Sequence, residues 1–365
     1  MKKHLLAIAA LAAVSGTVAA QNVTVYGVID NAIQTESKTS AAGVAGGSKT
    51  SMQQGGLLAT VWGLRGSEDL GGGMKANFNL EGYIHTDTGS GQDRFGGLFG
   101  RAAWVGVSGS AGDFKAGKQL DPAVLAFAAT DPRGLKETQS GLITWYTGAD
   151  AREPATASGT ANYNQVANIF VANAISYSNS FNGLNVGVAY SFGEQAGDAK
   201  ANSVTSLGVS YTFAALTVSG SYSKNEGNST TNTNFSQSER SSFGLAYQVM
   251  PNVKVKANYM KAELNSNSGT LTKENEVYGY GVEYNWNPKN LLTVAYYDGE
   301  NKTGTNDTSK SLIISNEYSL SKRTTLYALV SSHKGGSGFE KAASMTFTYA
   351  NQRNTLTQLG IAHRF

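Results

Sequence analysis

The feature that most constrains this chain is an alternation of apolar and polar residues with a period of two, which recurs along most of its length. In residues 74–84, Met, Ala, Phe and Leu fall on one face, while Lys, Asn and Glu fall on the other. Residues 184–191, 253–264 and 356–365 repeat the pattern. A period of two is that of a β-strand, whereas a helix repeats every 3.6 residues. The chain is therefore predicted to be all-β.

The first twenty residues predict export. Lys2 and Lys3 begin a basic start, which is followed by an apolar run and then by the small residues that a signal peptidase reads. The run is shorter than the roughly 20 apolar residues of a spanning helix. We expect residues 1–20 to be a cleaved signal peptide, with an ordinary N-terminal helix as the alternative, and residues 21–365 to form a single domain.

Charge, cysteine and histidine usage exclude several function classes. The formal net charge of +3 includes Lys2 and Lys3 of the predicted signal peptide, so there is no basic field for nucleic acid. Cysteine is absent, which excludes a disulfide framework and thiol chemistry. His85, His333 and His363 lack the spacing of metal ligands, and we find no motif for a nucleophile–base pair. We expect no enzyme, no cofactor and no metal.

Two kinds of exported β protein fit the alternation. In a soluble sandwich or propeller the second face would carry charge, but here it is often Gly, Ala, Ser and Asn, which suits a lumen. Aromatic residues near strand ends suit the interfacial girdles of a membrane barrel, and examples are Tyr26, Tyr211, Phe213, Tyr296 and Tyr297. The pattern favours a transmembrane antiparallel β-barrel, and the soluble protein remains the alternative.

Short and long connections alternate along the chain, as they do in a barrel with tight turns at one end and long loops at the other. The sheet must be closed, because an open edge cannot lie in lipid. We predict about sixteen strands, an even number. They start near residues 23, 57, 73, 99, 112, 168, 183, 203, 215, 239, 252, 276, 290, 309, 323 and 355.

One connection is exceptionally long, since it runs over about 45 residues from Leu120 to about Val166. It contains apolar residues such as Leu125, Phe127 and Trp145, so it must pack against something. A barrel of about sixteen strands encloses an aqueous channel. We therefore expect this segment to fold inward and narrow the channel.

Several motifs resemble those of Gram-negative general porins, most closely the beta-proteobacterial group. They are VTVYGVIDNAI (23–33), WGLRGSEDLGGGMKANFNLE (62–81), LFGRAAWVGVSGSAGDFKAGKQ (98–119), GLNVGVAYSFGE (183–194) and the terminal GIAHRF. The resemblance implies a homotrimer of sixteen-stranded barrels in the cell outer membrane, in contact with its lipid and lipopolysaccharide. It implies passive diffusion of ions and small hydrophilic solutes through a constriction formed by the third long loop, about residues 120–166.

The resemblance also bears on assembly. In the family the last strand pairs with the first, and a terminal aromatic, here Phe365, is recognised by the outer-membrane assembly machinery. Independently of the family, the last strand must close the sheet against the strand from Val23 or leave an unpaired edge. Trp62, Phe99 and Trp104 are candidates for subunit contacts, and lipid contact would explain them equally well.

In the family a basic wall faces acids on the inward loop, and opposed charges across a narrow lumen create a transverse field. Two departures, Val61 and Phe170, replace basic positions of the family pattern and argue against strong anion selectivity. The alternative role for Arg101 is a structural ion pair to the packed loop, and the alternative for Lys75 and Arg65 is a solvated charge in the lumen or at the periplasmic rim. Matched to this sequence, the basic wall is Arg101, Lys118, Arg65 and Lys75, and the acidic loop is Asp121, Asp131, Glu137, Asp150 and Glu153.

Two other functions remain open. A solute-specific channel of the same fold would carry an aromatic track through the lumen, for which the candidates are Phe170, Trp145 and Tyr146. A plugged barrel would act as a surface-binding protein or adhesin and would conduct negligibly.

Overall fold

The structure is a computed structural model that describes residues 22–37, 47–92, 97–142, 145, 169–227, 237–266, 268–303, 308–335 and 353–365. The predicted signal peptide lies outside the described residues. So do three of the predicted site residues, Tyr146, Asp150 and Glu153.

The described residues form eighteen strands. They are β1 (Asn22–Glu36), β2 (Lys49–Gln54), β3 (Val61–Gly71), β4 (Met74–Ile84), β5 (Gly91–Gln92), β6 (Ala102–Gly109), β7 (Gly112–Leu120), β8 (Phe170–Phe181), β9 (Leu184–Ser191), β10 (Val204–Phe213), β11 (Leu216–Glu226), β12 (Gln237–Met250), β13 (Val253–Asn265), β14 (Leu271–Asn287), β15 (Asn290–Asn301), β16 (Thr308–Ser319), β17 (Thr324–Gly335) and β18 (Arg353–Arg364). A helix, α1 (Pro122–Thr130), follows β7.

Apart from the short β2 and β5, the strands of the described chain form one closed antiparallel barrel of sixteen. Each strand pairs with its neighbours in sequence, and β1 closes the ring by pairing with β18 on one edge and β3 on the other. The prediction of an all-β barrel of about sixteen strands is confirmed. The predicted strand starts are close to those observed, and one of the larger differences is β14, which begins at Leu271 rather than near residue 276.

The closure places the last residue against the first strand. The backbone N–H of Phe365 donates to the carbonyl of Gly27 at 3.1 Å, and Gly27 donates back at 3.3 Å. The phenyl ring lies over Gly27, where a Cβ would come within 2.4 Å of the ring atom Cζ. A larger residue than glycine at this position would therefore displace the terminal aromatic side chain.

The two faces of the sheet differ in the way that the alternation predicts. On β12 the apolar side chains of Phe243, Leu245 and Tyr247 are exposed on the outer surface, while Ser238 and Ser242 are buried inside. An exposed belt of apolar residues around a barrel is the surface that lipid covers. Tight turns, such as the one at residues 72–73 between β3 and β4, lie at the end of the barrel opposite the long connections.

Two of the aromatic residues predicted for the outer girdles face inward instead. Tyr26 lies with its hydroxyl 2.8 Å from both Asn79 and Glu81 on the inner face. Tyr297 is buried and donates a hydrogen bond to Asp131 at 2.9 Å. A tyrosine at a strand end suits either face, because its hydroxyl can donate a hydrogen bond in the lumen as readily as at the membrane interface.

The third long connection enters the barrel, as predicted. Its helix α1 begins at the N-cap Asp121, with Pro122 in the first turn, and packs against β10 and β11. Two glycines of the barrel wall leave room for the helix. A Cβ on Gly208 would lie 2.1 Å from the carbonyl oxygen of Pro122, and one on Gly244 would lie 1.9 Å from the hydroxyl of Thr130.

The apolar residues of the loop form a small core between helix and wall. Val124, Phe127 and Trp145 are buried against Phe170 at the start of β8 and Met260 on β13. The rings of Phe127 and Trp145 have centroids 5.6 Å apart. This packing explains why so long a connection is rich in apolar residues.

Within the described residues, no helix is both long and apolar enough to cross a bilayer.

Candidate functional site

Asp121 is an anchor of the loop rather than an acid that faces the open lumen. Its carboxylate is fully buried and accepts hydrogen bonds from the backbone N–H of Ala123 at 2.8 Å and from the hydroxyls of Ser223, at 3.2 Å, and Ser206. Burial raises the pKa of Asp121 to about 6, although these hydrogen bonds and Arg240 act in the opposite direction. The residue therefore fastens the start of α1 to β10 and β11.

Arg240 on β12 supplies the positive charge near this anchor. Its side chain is only 1% exposed, interacts electrostatically with Asp121, and lies 5.5 Å from the ring centroid of Trp145. Within the described residues, its Nε and Nη1 atoms find no hydrogen-bond acceptor. A buried guanidinium with so few acceptors depends strongly on its remaining counter-charge.

Asp131 ends α1 and is equally structural. It is buried and accepts hydrogen bonds from the hydroxyl of Tyr297 at 2.9 Å and from the backbone N–H groups of Leu135, at 2.8 Å, and Arg133, at 3.1 Å. Burial raises its pKa from the ordinary value. The second anchor therefore ties the C-terminal end of α1 to β15.

Two basic residues of the loop complete its attachment, and sequence reasoning missed both. The guanidinium of Arg133 donates to the hydroxyl of Ser315 at 2.8 Å, and Lys136 forms an ion pair with Glu317 on the same strand, β16. Burial lowers the pKa of Arg133 and of Lys136, and the charge of Glu317 opposes that effect for both. The loop is therefore fixed at both ends of α1 and again at β16.

Glu137 is the described loop acid that lies near a predicted wall cation. Its backbone N–H donates to the carbonyl of Leu57 at 3.2 Å. Together with Tyr83 and Arg101 it lines a cavity of about 190 Å³ between the loop and the wall, and its charge acts on the guanidinium of Arg101. Of the described acids predicted for the constriction, the structure brings Glu137 to the wall and buries Asp121 and Asp131.

Arg101 is held mainly by the wall itself. Its Nε lies 2.5 Å from a carboxylate oxygen of Glu81, and its Nη1 donates to the hydroxyl of Tyr83 at 2.5 Å. The guanidinium also lies 4.9 Å from the ring centroid of Phe170. The structural ion pair considered as its alternative role exists, but its acid comes from β4 and not from the loop.

The proposed aromatic track does not run through the described candidates. Trp145 is fully buried beneath α1, and Phe170 is 7% exposed beneath the guanidinium of Arg101. The apolar character that suggested a solute path reflects the core between loop and wall. Val61 is similarly buried, so its position does not face the open lumen.

The open part of the lumen lies along β3, β4, β6 and β7. Arg65 lies 4.9 Å from the ring centroid of Tyr26, and Lys115 lies 4.8 Å from that of Trp104. Arg65, Trp104 and Lys115 line a cleft of about 550 Å³, together with Asp113, polar residues and apolar residues of the same strands. We call this space the basic–aromatic cleft.

The basic residue that β7 contributes to the lumen is Lys115 and not Lys118. Lys118 pairs with Ala103, which shares its strand face with the exposed outer residues Val105 and Val107. The register therefore places Lys118 on the outer face. On β6, Gly106 and Ser108 lie on the same face as Trp104, and they pair with Lys115 and Asp113 on β7. Counting alternate residues forward from Trp104 and across the β6–β7 turn would therefore have selected Lys115.

The remaining predicted positions are Lys75 and the three aromatic candidates for subunit contacts. Lys75 is exposed at the turn end of β4, in register with the cleft residue Ser108. Trp104, a candidate for subunit contacts, lines the cleft and so faces inward. Trp62 and Phe99 contact each other with ring centroids 5.9 Å apart.

The arrangement provides a polar, charged passage. Within the described residues, no group of three or more acidic or histidine side chains is placed to hold a metal ion. Fixed cations, ring faces and amide groups along an open wall suit transient contact with passing solutes, since permeation requires weak binding.

Comparisons with known proteins agree with this architecture. A family model described as Gram-negative porin matches residues 7–336. Outer membrane porin protein 32 of Delftia acidovorans is 33% identical over 208 residues, which are 56% of this chain and 53% of that protein. An outer membrane porin protein of Bordetella pertussis is 34% identical over 221 residues, 57% of this chain and 52% of that protein. The chain thus aligns with about half the length of these relatives.

Solved structures show the same fold. An anion-selective porin from Comamonas acidovorans superposes with a TM-score of 0.76 at 24% identity, covering 94% of this chain and 100% of that one. OmpT of Vibrio cholerae in its trimer form gives a TM-score of 0.68 at 16% identity, covering 95% of this chain and 100% of that one.

Proposed function

Because the chain belongs to the Gram-negative porin family, we propose that it forms a water-filled channel for passive diffusion of ions and small hydrophilic solutes across the outer membrane. The observation that carries this proposal is the closed barrel with an open, charged cleft along one wall and a loop fixed against the other. The proposal includes no catalytic step and no cofactor.

The constriction in this proposal lies between the inward loop and the wall of β3, β4, β6 and β7. Glu137 is its loop acid, and Arg101, Arg65 and Lys115 are its basic wall. A homotrimer is part of the proposal, and the trimer form of the Vibrio cholerae neighbour supports it. Contacts with outer-membrane lipid and lipopolysaccharide, and recognition of Phe365 by the assembly machinery, belong to it as well.

We further propose a modest preference for anions. The acidic Glu81 lies 2.5 Å from Arg101 and largely neutralises it, so the remaining positive charge of the wall comes from Arg65 and Lys115. Asp113 and the loop acid Glu137 oppose these two charges, so the modest positive excess comes from Lys75 at the rim. The Comamonas acidovorans neighbour carries the description anion-selective, which supports the sign.

The test is single-channel recording in planar bilayers under a salt gradient. Stable ohmic steps with a small anion-directed reversal potential are the expected result. Lys115→Gln removes a lumen charge, so the reversal potential should move towards cation preference. Lys118→Gln on the outer face of the same strand is the matched control and should leave it unchanged.

Other outcomes decide between the alternatives. A folded, heat-modifiable barrel without conductance would reject the channel in favour of a plugged binding protein. Flux that saturates with one solute in liposome swelling would replace general diffusion by a solute-specific channel. Equal effects of the two lysine variants would contradict the placement of Lys115 in the constriction.

A further inference from the structure

In the basic–aromatic cleft, two cations lie against aromatic rings. Lys115 Nζ is 4.8 Å from the ring centroid of Trp104, and the guanidinium carbon of Arg65 is 4.9 Å from that of Tyr26. A cation in this position is attracted to the ring quadrupole. Each cation–ring pair presents a positive charge beside a flat apolar surface, whereas a solvated lysine presents the charge alone.

The strand register explains why the lysine reaches its ring. Trp104 lies opposite Gly117 on β7, while Lys115 lies opposite Gly106 on β6. Neither glycine carries a side chain, so the Lys115 stem crosses towards Trp104. A Cβ on Gly106 would lie 3.1 Å from Cγ of Lys115, which shows how closely that stem passes over it.

Across the sheet, the same register extends the cleft from this pair to Arg65. Arg65 lies opposite Asn79, and Asn79 lies opposite Trp104, so these three side chains form one row on β3, β4 and β6. Asn77 lies in the next row, where it donates to the hydroxyl of Ser108 at 2.8 Å. The row therefore offers a cation, an amide and a ring in succession.

We propose that the basic–aromatic cleft binds small organic anions with a planar apolar body, of which benzoate is the simplest probe. A carboxylate satisfies Lys115 or Arg65, and a planar body packs on Trp104 with the offset or edge-on geometry that ring pairs prefer. A neutral sugar lacks the charge, and chloride lacks the body. The cleft volume of about 550 Å³ falls within the range of about 300–1,000 Å³ that is typical of small-molecule sites.

This inference rests on the proposed channel function and names its preferred solute class. Binding in a pore must be weak enough to release the solute on the far side. One aromatic contact keeps binding weak, since a ring pair changes the affinity only about 2- to 10-fold beyond the effect of burial. The site should consequently enrich benzoate at the constriction without blocking the channel for long.

The experiment measures how added benzoate reduces the chloride current through single channels, with acetate and benzyl alcohol as probes that carry only the charge or only the ring. In the wild type, benzoate should act at lower concentration than either. Trp104→Ala should raise the half-effective benzoate concentration about 2- to 10-fold, with acetate unchanged. Lys115→Gln should weaken both anions, and Trp104→Phe should retain most of the benzoate effect.

Two controls separate the site from general effects. Lys75→Gln removes the same charge at the rim without a ring and should weaken benzoate and acetate equally. Trp286→Ala removes an exposed tryptophan of the outer surface and should change neither. Benzoate block that is unchanged in Trp104→Ala, or benzyl alcohol that blocks as well as benzoate, would overturn the proposal.

Equilibrium dialysis of radiolabelled benzoate against the detergent-folded barrel measures binding to the same site independently of conductance. Binding that Trp104→Ala weakens, in a barrel that does not conduct, would support the site and reject the channel. A conducting barrel that does not distinguish benzoate from acetate would reject the site alone. If the barrel neither binds benzoate nor conducts, both the site and the channel are rejected.

Discussion

Replacing Asp121 by Ala is expected to detach the N-terminal end of α1 from the barrel wall. The carboxylate accepts three hydrogen bonds within the described structure, from Ala123, Ser206 and Ser223. Its charge also acts on the buried guanidinium of Arg240. The variant therefore removes a helix cap and leaves a buried guanidinium without its acid.

The size of the effect follows from these two losses. A lost N-cap costs about 1 kcal/mol, but Ala123 keeps a second acceptor in the hydroxyl of Ser206 at 3.1 Å, so this loss is partly offset. Leaving Arg240 buried without its acid costs about 3–5 kcal/mol, as for other broken buried pairs. At about 1.4 kcal/mol per factor of ten, the lower value raises the detached population about a hundredfold.

Hydrogen–deuterium exchange of the α1 peptide in the detergent-folded barrel measures that population directly. Exchange of the α1 amides should accelerate about a hundredfold, while strands far from the loop remain protected. Asp121→Asn keeps the cap but removes the charge, so it should show most of the effect. Adding Arg240→Met to Asp121→Asn removes the orphan charge and should restore slow exchange.

Two results would refute this reasoning. Exchange within threefold of the wild type in Asp121→Ala would mean that the loop is held by its other contacts. A double variant that exchanges as fast as Asp121→Asn would mean that Arg240 is not the cause of the loss.

Further predictions concern packing and charge. Gly244→Ala should raise open-channel current noise, because its Cβ would lie 1.9 Å from a hydroxyl of α1, whereas Gly220→Ala, with its closest atom at 3.7 Å, should not. The double variant Arg101→Gln/Glu81→Gln removes a neutral ion pair, so it should shift the reversal potential less than Lys115→Gln does, and an equal shift would contradict that pairing.

The strands were predictable because their signal is local and repeated. In residues 74–84 the alternation alone assigns Lys75 and Glu81 to the inner face, and the structure agrees. Tyr26 and Tyr297 were misplaced because an aromatic ring suits both faces, so composition near strand ends does not settle the direction. Tyr297 points inward for a partner, Asp131, that comes from a distant part of the sequence.

The site was less predictable than the fold, for two physical reasons. Whether an acid on the loop faces water or the wall depends on tertiary packing, so Asp121, Asp131 and Glu137 look alike in sequence although only Glu137 lines a cavity with Arg101. On β7, Lys118 was selected because its motif matches a basic position of the family, but adjacent residues of a strand face opposite ways, and the register places Lys118 on the outer face and Lys115 in the lumen.

The pairing of β1 with β18 has a consequence for how the chain reaches its native state. Gln34 and Gln358, 324 residues apart in the sequence, are joined by a side-chain hydrogen bond across this seam. Every shorter portion of the sheet leaves two strand edges unpaired, and such edges recruit other chains into aggregates. Contacts of such high sequence separation also fold slowly. A nascent chain of this protein therefore needs protection until its final strand has arrived, and the rate at which the seam forms should limit the yield of native barrel.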